Sequence, residues 1–130
     1  MQEYRSIEQL ENDYWKEVDF PSSLVEKCFN YRKIPVSELS VEQLRLLVGQ
    51  QIGLHYIVPK AISVLQADIL AEGDYYPGDL LNSVLSLSEN DWDKLQTEKT
   101  KFIKLLPQNI SIIEATENRE LIRKAKAYVP

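Results

Sequence analysis

The side chains best suited to chemistry in this sequence are few and lie far apart. One histidine, His55, stands in GLHYIVP, and one cysteine, Cys28, stands in LVEKCFNY. A histidine can act as a general base, and an intracellular cysteine with a histidine elsewhere in the chain can act as a nucleophile. Each needs a positioned second group, and the sequence supplies none beside either. The blander assignments are a partly buried histidine in a tight turn and a small buried hydrophobe on a helix. Zinc requires about three or four Cys or His ligands, and the chain holds one of each. Glu72, Asp74 and Asp79 gather in EGDYYPGD, yet without the alternating oxygen ligands and closing Glu of a calcium loop. Neither GxxxxGK[ST] nor GxGxxG occurs, and GQQIG, Gly49 to Gly53, has no lysine and lies between helical patterns. The expectation is no enzyme, no cofactor and no metal. Catalysis through His55 or Cys28 is the least favoured reading, and alanine at both positions tests it.

The elements that must carry these residues read as helices. Gly and Pro together number ten, Thr occurs three times and Leu 17 times, a profile that favours helix over sheet. Ser6 with Gln9, Ser23 with Glu26, Ser40 with Gln43 and Ser88 with Asp91 each set a hydroxyl three residues before an acid or amide. The first three are capping-box helix starts, and the fourth is a weaker form with Asp. Leu44, Leu47 and Val48, then Leu54, Ile57, Val58, Ala61, Ile62 and Leu65, recur at helical spacing. Pro59 fits the first turn of a helix that begins near Tyr56. Gly53, in left-handed backbone, would then end the helix before it. A short helix follows Pro77-Gly78-Asp79, a longer one runs from Trp92 to Pro107, and a last one covers about 118–128. Ile110, Ile112 and Ile113 alone suggest a strand, in a run too short and isolated to pair. The predicted architecture is all-α: one compact domain, residues 1–130, of about seven or eight short helices.

What remains is surface. Twenty acids against 15 bases give a net charge of −5, which disfavours a nucleic-acid binder because phosphate demands a basic footprint. The acid is unevenly placed. Residues 1–20 hold six acids and two bases, and residues 68–98 hold eight acids and one base. Residues 99–130 hold three acids and seven bases. No apolar run is long enough to span a membrane, and the N-terminus lacks a secretory pattern, so a cytoplasmic protein is expected. Asp74, Tyr75, Tyr76 and Asp79, with Glu89, Asp91, Trp92 and Asp93, combine acids with aromatics as protein interfaces do. For the first group the competing role is local structure, since Asp79 could begin a helix. For the second it is a charged helix start that the helix dipole favours. The N-terminal acids Glu8, Glu11, Asp13, Glu17 and Asp19 form an alternative surface.

The central stretch LRLLVGQQIGLHYIVPKAISVL, followed by AEGDYYPGDLLNSVL, resembles the immunity proteins of bacterial contact-dependent growth inhibition (CDI) systems. The resemblance is carried by Gly49, Gln50, Gly53 and Leu54, by Val58-Pro59, and by the block from Glu72 to Leu81, with IPVSELSVEQL as lead-in. It covers about 50 residues and leaves the first 30 and last 40 unmatched. It implies a non-enzymatic bacterial protein that binds and neutralises one cognate toxin C-terminal domain. That toxin would be a ribonuclease or other nuclease, bound one to one by a monomer that occludes its active site. A motif shared across a family whose members meet different toxins implies turn and packing roles for Gly49, Gln50, Gly53, Pro59, Pro77 and Gly78. The alternative is a small helical adaptor or regulator of an endogenous basic partner, which would bind without any neighbouring toxin gene.

Overall fold

The computed structural model describes residues 3–16 and 20–128. Glu17 and Asp19, two of the N-terminal acids singled out above, lie outside these residues. The described residues form an all-α fold in the order α1 (Ile7–Glu11), α2 (Ser23–Tyr31), a 3₁₀ turn (Val36–Glu38), α3 (Val41–Gly49), α4 (Leu54–Ala67), α5 (Asp79–Leu85), α6 (Glu89–Trp92), α7 (Gln96–Ala115) and α8 (Arg119–Tyr128). None of these helices is long and apolar enough to cross a membrane.

Helix starts follow the hydroxyl pattern closely. Ser6, Ser40 and Ser88 each close a full capping box, with Gln9, Gln43 and Asp91 as reciprocal partners. The Asp version is therefore complete, with both reciprocal bonds made. In α2 the cap moves back one residue: Ser22 accepts from the Val25 N–H, and Ser23 is already helical. Two buried stripes drive assembly. Leu44, Leu47 and Val48 of α3 pack with Leu80, Leu81 and Val84 of α5, and Ile57, Ala61 and Leu65 of α4 join Phe102 and Leu106 of α7.

Three sequence expectations change. Helix α4 begins at Leu54, two residues before Tyr56, so exposed Pro59 lies inside the helix and beyond its first turn. The left-handed residue that ends α3 is Gln51 (φ 59°), whose N–H donates to the Val48 carbonyl while Ile52 N–H donates to Leu47. Gly53 (φ 61°) instead caps α4, with Ile7 so close that an added Cβ would stand 2.9 Å from Cγ2. Finally, the helix expected from Trp92 to Pro107 is two helices: Trp92 ends α6, and α7 runs from Gln96 through Pro107 to Ala115, taking Ile110, Ile112 and Ile113 into helix. Burial of Ile113 prevails over the lost N–H of the proline.

The C-terminal helix closes the core through an aromatic cluster. Trp92 stacks on Phe102 at 5.6 Å, and Tyr128 meets Phe102 edge-on at 5.7 Å. Trp92 Nε1–H donates to Tyr128 Oη at 3.1 Å, and that hydroxyl donates to the Leu85 carbonyl at 3.2 Å.

Candidate protein-binding surface

The EGDYYPGD stretch is a folded-back loop, joined to itself by an isolated bridge between Glu72 and Pro77. Asp79 sits inside it, only 3% exposed. Its carboxylate accepts from the N–H groups of Gly73 (2.7 Å), Tyr75 (3.1 Å) and Tyr76 (3.5 Å). Gly78 precedes it at φ 91°, against Leu121, in a backbone conformation that only glycine adopts readily. Asp79 is thus withdrawn from the contact surface, because a buried carboxylate committed to three backbone donors has nothing left to offer a partner. A second acid holds the loop from outside. Glu42 of α3 accepts from Asp74 N–H at 2.9 Å and is paired in a two-point fork with Arg45. Hydrogen bonding to Arg45 holds the Glu42 carboxyl below its ordinary value, against the opposing effect of burial. The Arg45 guanidinium also lies over the Tyr75 ring, 4.5 Å from its centre. Tyr75 stays exposed at 69%, and Asp74 is exposed beside it. Burial, with Glu120 and Asp79 nearby, raises the Tyr76 hydroxyl above its ordinary value.

The N-terminal acids have different company. Glu8 pairs with Lys33 at 3.2 Å, Glu11 with Arg32 at 3.1 Å, and Asp13 approaches Arg32 at 3.8 Å. Glu3 pairs with Arg5. Every described acid before residue 20 is therefore already in an ion pair. Arg32 is the centre of this group. It is 1% exposed, donates to the Asp13 carbonyl at 2.8 Å and is covered by the Trp15 ring at 4.1 Å.

The Glu89–Asp93 run is divided. Trp92 is 1% exposed and belongs to the aromatic cluster, so it too is withdrawn from the contact surface. Its burial follows from helical spacing: it is the residue of α6 turned towards Phe102. Asp91 caps α6 through the Ser88 N–H (3.0 Å) and accepts from the Gln51 side-chain amide at 2.9 Å. Glu89 and Asp93 are exposed. Across residues 68–98 none of the eight acids enters a salt bridge among the described residues. His55, in the first turn of α4, is exposed and not partly buried. It borders a cleft of about 450 Å³ with Asn90, Asp91, Asp93 and Lys94. Cys28 is buried, and desolvation raises its thiol above the ordinary range, a setting that disfavours the reactive thiolate. Among the described residues no group of three or more His, Cys, Asp or Glu is arranged to hold a metal ion.

Of the shared-motif residues, Gly53, Pro77 and Gly78 shape turns, whereas Gly49 ends α3 with open space where a Cβ would stand. Gln50 is the exposed cap of α3, its N–H donating to Leu46. The residues that sequence reasoning passed over are Glu42, Arg45 and Gln51. Glu42 and Arg45 stand three apart on one helix, which is the available signal for their pair. The Gln51–Asp91 bond spans 40 positions and has no such signal. A family model described as CDI immunity proteins matches residues 9–102, more than half of the chain. No curated protein matches it.

Proposed function

The chain belongs to the family of CDI immunity proteins, and from that membership we propose that it neutralises a nuclease-type toxin domain by covering the cleft that holds nucleic acid. The toxin domain is the C-terminal part of an exported protein delivered between cells, and the immunity protein meets it one to one in the cytoplasm. The observation that carries the electrostatic part is the contrast between the two acidic stretches. The described N-terminal acids are spent on Arg5, Arg32 and Lys33. Those of residues 68–98 form no salt bridge among the described residues, and the exposed ones, Asp68, Glu72, Asp74, Glu89 and Asp93, turn their charge to solvent. A nuclease presents cations to phosphate, and free carboxylates on a rigid helical frame can occupy that position in place of substrate. Asp74 and Tyr75, with Glu89, Asp93 and the partly committed Asp91, are the side chains offered. Tyr76 contributes its ring at the edge of the loop.

Co-expression tests the reading. Cells producing the toxin domain encoded beside this chain are expected to survive when the chain is also made, and the two purified proteins are expected to co-elute as one complex. Death of the co-expressing cells would refute the assignment.

A further inference from the structure

An apolar groove of about 500 Å³ opens between the 72–81 loop and the turn that joins α7 to α8. Leu70, Tyr76 and Pro77 form one wall, and Ile112, Ala115 and Thr116 form the other. Ile112 is 48% exposed although it is a large aliphatic side chain. Single exposed apolar residues need no explanation, but this one lines a concave surface with an aromatic and a proline. The acids around the groove outnumber the bases left to balance them: Arg45 over Tyr75 is held by Glu42, and Lys124 and Lys126 are held by Glu120 and Glu114. Asp68, Glu72, Asp74 and Glu117 are exposed, stand within two residues of a lining residue, and form no ion pair among the described residues. Glu114 and Glu120 are also near, paired with Lys126 and Lys124. Arg119 is the only base at the same remove in sequence.

We propose that this groove receives an apolar side chain of the toxin domain, presented between lysines or arginines, and that it governs how long the complex lasts. The proposal rests on the function given above and assigns a second task to a groove beside the 72–81 loop. Exposed acids act on capture, since rim charges mostly change association rates. An apolar anchor in a concave pocket acts on release, because affinity differences within one interface lie mostly in dissociation. A second copy of the chain is the weaker occupant. A two-fold dimer through this groove would bring the same acidic rim against itself.

The test is the binding kinetics of the purified toxin domain with the wild-type chain and with Ile112→Gln and Ala115→Gln, both at exposed positions of α7. The expected result is dissociation faster by about tenfold or more, with the association rate and thermal midpoint nearly unchanged. Wild-type dissociation in both variants would overturn the proposal. So would a wild-type chain that sediments as a dimer and becomes a monomer on Ile112→Gln. If the wild-type chain fails to bind the toxin domain at all, the proposed function itself falls. Tight wild-type binding with indifferent variants removes the groove alone.

Discussion

Asp79 and Glu42 share one loop and perform opposite tasks. Asp79 satisfies backbone donors from within, and Glu42 joins the loop to α3 while Arg45 neutralises it. The Glu42 carboxyl lies below its ordinary value of 4.5, chiefly through Arg45. A folded-state value below the unfolded one adds stability that is fully present above the unfolded value. That stability disappears as pH falls through the folded value. Glu42→Gln is therefore expected to lower stability by about 1 kcal/mol at neutral pH. The gap to wild type should narrow below pH 4.5, and urea titrations across that range measure it. A gap that stays constant into acid would show that the fork contributes nothing. The sequence put acids and turn residues in this loop on view, and it left Asp79 open between contact and helix start. Burial of that side chain depends on the return of the loop from Glu72 to Pro77, a closure that no local spacing encodes.

At the scale of elements, the serine-capped helix starts were readable because capping is a contact over three residues. Helices α4 and α7 start without a side-chain cap, and spacing alone misplaces their starts. Helix ends were less readable, since they depend on what lies beyond. Pro107 shows the limit. Propensity would stop α7 there, yet Leu106, Ile110 and Ile113 keep helical spacing past it, and both Leu106 and Ile113 are fully buried. Packing of that stripe outweighs the missing donor. The proline itself is exposed, so Pro107→Ala restores a helix N–H without disturbing the core. An increase in unfolding free energy of about 1–3 kcal/mol is expected, seen as a higher urea midpoint at constant slope. A lower midpoint would mean that the core requires the bend a proline imposes. Gln51 follows the same logic in a turn: glycine is favoured for left-handed backbone, so Gly53 drew the assignment. The side chain of Gln51 is what fastens this turn to Asp91.

Over the whole molecule, sequence counts located the acid but could not tell spent charge from free charge. That distinction comes from Arg32 and Lys33, which are distant from the acids in sequence and adjacent in the fold. It also selects the variant to make. Glu89→Gln with Asp93→Asn removes exposed charge and leaves the Asp91 cap intact. Association with the toxin domain is expected to slow several-fold and to lose much of its salt dependence, with dissociation little changed. An unaltered association rate would move capture to Asp68, Glu72 and Asp74. The chain also carries its own optical probes in its two tryptophans. Trp92 is enclosed and bonded to Tyr128 of the last helix, whereas Trp15 is 37% exposed over the Arg32 cation. Their emission is therefore expected to differ in colour and in access to quencher. A shift in the blue component reports detachment of α8, and a change in the red component reports release of the N-terminal acids from Arg32. Unlabelled protein can thus show which end of the molecule a bound toxin disturbs.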